Sequence, residues 1–81
     1  MILPTIHLNG SAAADLAAGY REAYSAIGDA IRAVKNTAPN GRDYPKGQGE
    51  LFEAIIEHDE RISSLARIQQ DLLDLHEACN P

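Results

Sequence analysis

The sequence has 81 residues, a formal net charge of −5 at neutral pH and one cysteine, Cys79. A chain of this length forms one domain at most, and a single cysteine excludes a disulfide within it. The acidic balance argues against general nucleic-acid binding, which uses Lys and Arg to displace counterions from phosphates. No apolar run reaches the roughly 20 residues that span a bilayer, and the first residues lack a signal peptide's basic region, so we expect a cytoplasmic protein with no membrane contact.

Residues 1–10 predict a short extended arm that precedes the helical part of the chain. Thr5 to Leu8 combine β-branched residues with alternating polarity, which is typical of a strand. The pattern leaves open whether residues 2–8 pair with another chain as an intermolecular strand. Asn9-Gly10 then interrupts the pattern, so the arm and the first helix are separate elements.

Residues 11–37 predict a first helix. Apolar side chains recur at alternating intervals of four and three between Leu16 and Val34, the pattern of a heptad-like face. Gly19 and Gly28 each cost about 1 kcal/mol of helix propensity relative to alanine. Two interpretations stay open: another helix approaches these glycines closely, or the helix merely tolerates them.

Residues 38–49 predict a loop. Pro39 has to follow the first helix, because the residue before a proline is pushed out of helical geometry, and Asn40-Gly41 is a turn signal. A connection of this length is unusual between two packed helices. Rigid helices often hold functional loops, so the loop is the first place to look for a binding site.

Residues 50–79 predict a second helix whose apolar pattern again alternates intervals of four and three, from Leu51 to Cys79. Its apolar arc is wider than one partner helix can cover. The predicted fold is therefore all-α: a two-helix antiparallel hairpin with an N-terminal arm, assembling into a homo-oligomeric helical bundle. The side chains expected at the oligomer seam are Tyr20, Ile27, Ile55, His58, Ile62, Leu65, Gln69 and Leu72.

The charges are distributed unevenly along the chain. Residues 32–46 contain four basic side chains and one acidic, whereas residues 50–81 contain eight acidic and two basic. In a hairpin the basic group lies at the loop end, where it could capture a small anion such as a nucleotide. The residues expected to bind it are Arg42, Tyr44, Asn40, Lys46 and Arg32. The alternative is that these charges complement the helix dipoles and that the loop residues only shape the turn.

No catalytic, metal or cofactor site is expected. The sequence has no nucleophile motif, no phosphate-binding glycine loop and no zinc-hydrolase signature. His58 and His76 lie 18 residues apart on one predicted helix, about 27 Å, which is too far for both to bind one metal ion. We interpret them as polar seam residues of the kind that set register in coiled coils.

The segments Thr5–Gly10, TIHLNG, and Ala38–Tyr44, APNGRDY, resemble those of small uncharacterised bacteriophage and prophage proteins. The resemblance extends over nearly the whole chain, including Tyr20 and Glu57-His58. It implies a phage setting and the host cytoplasm, but it carries no catalytic or binding residues. Small helical phage proteins include oligomers that sequester cyclic nucleotide signals of host immunity and inhibitors that bind host proteins.

Two functional hypotheses follow from the sequence. In the first, a non-enzymatic homo-oligomer sequesters a small anionic nucleotide-type signal at its loop end and acts against host defence. In the second, the acidic helical surface is a protein-interaction module that binds and inhibits a host protein, or serves as a structural accessory. The first requires the loop residues, and the second requires the helix faces.

Overall fold

The computed structural model describes residues 1–4 and 10–79. Helix α1 covers Gly10–Lys35, helix α2 covers Gln48–Ala78, and a short 3-10 helix covers Gly41–Asp43 between them. The two long helices pack against each other as a helical hairpin, and the described residues form no strand. The predicted all-α class is confirmed. The strand-like pattern from Thr5 to Leu8 lies outside the described residues, and of the preceding arm Met1, Ile2 and Leu3 are exposed.

Helix α1 ends at Lys35, ahead of the proline that sequence analysis identified as its limit. The backbone N–H of Thr37 donates to the carbonyl of Val34 at 2.9 Å, and the Thr37 hydroxyl donates to the same oxygen at 2.7 Å. These two bonds satisfy a carbonyl that would otherwise lack a partner at the end of the helix. Arg32 and Lys35 occupy the last turn, where cations complement the helix dipole.

Helix α2 begins at Gln48, two residues before the predicted start. Gly47 precedes it with a φ of 136°, a backbone conformation that side chains rarely allow and that glycine adopts without strain. The N–H of Gly47 donates to the carbonyl of Tyr44, which tightens this end of the loop. The chain can therefore turn sharply and begin the helix immediately after Gly47.

The interface between the helices is narrow. Ala17 on α1 lies against His76 on α2, because the His76 Nδ1 is 3.0 Å from the Ala17 carbonyl oxygen. Further along, a Cβ added at Gly28 would lie 3.1 Å from Nε2 of Gln69. Within the described part of the chain, only three residues are buried, with less than a tenth of their surface exposed: Ala17, Cys79 and His58. The hairpin thus holds its helices together without enclosing a sizeable core.

The molecule is elongated. Its principal extents are 60 × 20 × 12 Å and its radius of gyration is 18.1 Å. A compact domain of this length has a radius of gyration of about 12 Å. The structure is therefore a thin two-helix rod with both flanks of its interface open.

Gly19 and Gly28, both in α1, have different surroundings, which predicts different responses to substitution. A Cβ at Gly19 would meet nothing within 4 Å, so Gly19→Ala should raise the free energy of unfolding by about 1 kcal/mol through helix propensity. Gly28→Ala should raise the free energy of unfolding by less, because the end of the Gln69 side chain must move to make room for the new Cβ. Gly28→Leu should destabilise, because its side chain would displace Gln69. Urea unfolding of the three variants tests this, and equal gains for both alanines would contradict it.

Candidate functional site

A cleft lies at the base of the loop, where the end of α1, the loop and the first turns of α2 meet. It has a volume of about 350 Å³. Three of its carboxylates come from one face of α2, since Glu50, Glu53 and Glu57 follow at intervals of three and four. The residues lining the cleft are Thr37, Pro39, Tyr44, Glu50, Glu53, Ala54, Glu57, His58 and Arg61.

The electrostatic character of this cleft is acidic. Arg61 is its one basic side chain, and its guanidinium lies 3.5 Å from the carboxylate of Glu57, with both side chains exposed. Glu50 lies in the first turn of α2, where the helix dipole favours a carboxylate. Glu53 has no ion-pair partner within the described residues. The cleft therefore offers more negative than positive charge to a ligand.

His58 lines this cleft and is only 6% exposed. Within residues 1–4 and 10–79, its imidazole makes no hydrogen bond, and no fully enclosed side-chain nitrogen or oxygen lacks a partner. The ring nitrogens are therefore not enclosed, and the residue borders the open space of the cleft. A buried imidazole that opens onto a cavity can donate or accept a hydrogen bond there.

The five residues predicted to bind an anion are not gathered into one cavity. Tyr44 lines the cleft, whereas Arg42 and Lys46 are exposed on the loop. The Asn40 Oδ1 accepts a hydrogen bond from the backbone N–H of Arg42 at 3.0 Å and so caps the 3-10 helix. Arg32 forms an exposed ion pair with Asp29 on its own helix. Anion binding by these residues stays a prediction.

The residues expected at the oligomer seam differ in how far the single hairpin buries them. His58 is buried, and Gln69 lies against Gly28 of the same chain. Ile55 is 37% exposed. The remaining members are half-buried: Tyr20, Ile27, Ile62, Leu65 and Leu72. The hairpin thus covers part of the seam itself and leaves the rest accessible.

The sequence analysis treated the carboxylates of α2 as part of an acidic helical surface and missed that three of them, Glu50, Glu53 and Glu57, border a cleft. Their spacing was visible, and it places all three on one side of a helix. What was not visible was the path of the loop, which returns along that side and brings Tyr44 beside them. The contact between His76 and the Ala17 carbonyl was also missed, because it depends on the register of the helices.

Neither a metal-binding cluster nor a membrane-spanning helix is found among the described residues. No cluster of three or more His, Cys, Asp or Glu residues able to hold a metal ion occurs in the described part of the chain. None of the described helices combines the length and apolar character needed to cross a membrane. No family model, curated protein or solved structure matches the chain.

The bond between the helices at His76 predicts a stability effect. A carbonyl oxygen can only accept, so the Nδ1 of His76 carries the hydrogen and donates to Ala17. His76→Leu removes this donor and should lower the free energy of unfolding by about 1 kcal/mol. The measurement is urea unfolding beside Glu77→Leu, an exposed neighbour on the same helix. The assignment is wrong if both variants lose equal stability.

Proposed function

We propose that this chain is a non-enzymatic protein-interaction module that works as a homo-oligomer of antiparallel helical hairpins. The observation that carries the proposal is the exposed apolar surface of a hairpin that has almost no core. Phe52 is 67% exposed and Ile56 is 53% exposed, and they lie one turn apart near the start of α2. Ile55 lies between them and widens the same patch.

The antiparallel arrangement is supported by the order of contacts along the helices. Near the start of α1, Ala17 contacts His76, and near its middle, Gly28 contacts Gln69. Near its end, Val34 and Leu65 border the same shallow groove, which is separate from the cleft at the base of the loop. Residue numbers on α2 fall as those on α1 rise, which is the order that antiparallel helices produce.

The exposed area supports association with another copy. The chain has an accessible surface of 6082 Å² and a mass of 8.8 kDa. A compact monomer of that mass exposes about 4,800 Å², roughly 1,300 Å² less. Obligate homodimers bury about 1,000 Å² or more on each subunit. The excess over a compact monomer is comparable to the area that one subunit of such a dimer buries, which supports association with a second copy.

The position of the exposed apolar residues favours more than one contact surface. Ile68 is 45% exposed and follows Phe52 by 16 residues, which places it about 160° around the helix. Leu16, on α1, is 39% exposed. Since one partner helix covers only one flank, the two flanks together are consistent with a bundle of several hairpins.

A charge placed in the apolar patch should disrupt the assembly. Ile56→Glu buries a carboxylate in the proposed interface, so we expect a smaller species and a melting temperature several degrees lower. Ala18→Glu adds the same charge at an exposed position of α1 and should leave both unchanged. Analytical ultracentrifugation and thermal unfolding provide the measurements. A parent protein that is monomeric at all accessible concentrations would overturn the proposal.

The second candidate function is sequestration of a small anionic nucleotide at the loop. The specific observation in its favour is that Arg42 and Lys46 are exposed on a hydrogen-bonded turn and form no ion pair within the described residues. In the phage setting implied by the sequence resemblance, either function would act in the host cytoplasm. The interaction module would bind a host protein there, and the sequestering oligomer would bind a nucleotide signal.

Nucleotide binding can be separated from assembly by one substitution. In a thermal-shift screen with cyclic dinucleotides, cyclic trinucleotides and ADP-ribose, a ligand at a hundredfold its Kd should stabilise the protein by about 2.7 kcal/mol. Arg42→Ala should abolish that shift without changing the oligomer, because the side chain is exposed. Retention of the shift in Arg42→Ala would remove the loop from the site, and no shift with any nucleotide would leave only the interaction module.

A further inference from the structure

We propose that the cleft at the base of the loop is a binding site for a primary ammonium group on a short alkyl chain. The site consists of Glu50 and Glu53 on α2, the ring of Tyr44 from the loop and the imidazole of His58. It is distinct from the apolar patch and from the exposed cations of the loop. The ammonium group could belong to a free amine or to a lysine side chain of a partner.

The first argument is the balance of charge within the cleft. Three carboxylates face one guanidinium, and Arg61 is engaged with Glu57 at 3.5 Å. Glu50 and Glu53 are left facing the same open volume. An ammonium group has three donors and no acceptor, so it needs carboxylates or other acceptors around it. The cleft has the sign of charge that attracts a cation.

The second argument is the buried imidazole. His58 is 6% exposed, makes no hydrogen bond within the described part of the chain and opens onto this cleft. Its ring nitrogens are not enclosed, so a ligand in the cleft can replace water as their hydrogen-bond partner. A neutral imidazole has one nitrogen that accepts, so it can take a hydrogen bond from an ammonium group between the carboxylates.

The third argument concerns the walls of the cleft. Tyr44, Pro39 and Ala54 present apolar surface beside the carboxylates. An alkyl chain can lie on such surface while its charged end meets the acidic side, and the face of the tyrosine ring attracts a cation within about 6 Å. The volume of about 350 Å³ lies within the usual range for small-molecule sites, about 300–1,000 Å³.

The experiment uses the full chain and follows the imidazole C–H resonances of His58 by NMR at about 0.15 M salt, where long-range attraction is screened. One arm titrates 1,4-diaminobutane, and a second titrates a capped Gly-Lys-Gly peptide. The neutral 1,4-butanediol is the negative control. We expect a saturable shift of the His58 resonances with an amine and none with the diol. The arm with the tighter binding identifies the source of the ammonium group.

A matched pair of double variants tests the role of the carboxylates. Glu50→Gln with Glu53→Gln should weaken amine binding about tenfold, since each exposed ion pair contributes up to about a fivefold change in affinity. Glu60→Gln with Glu77→Gln removes the same charge from exposed positions of α2 outside the cleft and should weaken binding less than twofold. If both pairs of substitutions weakened amine binding equally, the effect would come from the overall charge of the protein, and the proposed site would be wrong. The absence of any saturable His58 shift with either amine would overturn it as well.

Discussion

The constraint on which the rest of this structure depends is that two slender helices cannot enclose a core. A hairpin has one interface, and here that interface includes small residues such as Ala17 and Gly28. Close packing brings the helices together but leaves little apolar volume between them, so larger side chains such as Phe52 and Ile68 remain at the flanks. Burial of apolar surface is the main favourable term in folding. The exposed flanks are therefore the part of the molecule that would gain most free energy from burial against another surface.

Polar residues in the seam determine how the two helices align. His76 donates to a main-chain carbonyl of the facing helix, and Gln69 lies beside Gly28 of α1. A purely apolar seam would allow the helices to slide by a turn with little loss, whereas a directional hydrogen bond is lost at any other register. In coiled coils, single polar seam residues have the same effect at some cost in stability. His58 differs, because it makes no hydrogen bond to the other helix within the described residues and lines the cleft at the base of the loop.

Much of the fold could be predicted because helices are encoded locally. The heptad-like spacing and Pro39 identified both helices, and their observed bounds differ from the predicted ones by one or two residues at each end. The early start of α2 depends on the unusual φ of Gly47, which a sequence pattern does not encode. The candidate site was harder to predict because it arises where separate segments meet. Arg42 and Lys46 suggested a basic end, but the cleft beside them is lined by Glu50 and Glu53, whose position relative to Tyr44 depends on the loop path.

The thin interface has a consequence for how the amount of this protein is controlled. In the proposed assembly, folding and association are parts of one equilibrium, so the folded fraction follows mass action and falls on dilution. Chains made at low levels would spend much of their time unfolded and exposed to proteases. A burst of synthesis would protect them, because a higher concentration favours the folded assembly. A rod with so little core could thus convert a graded level of expression into a sharp onset of activity. No separate regulatory element would be required for this threshold.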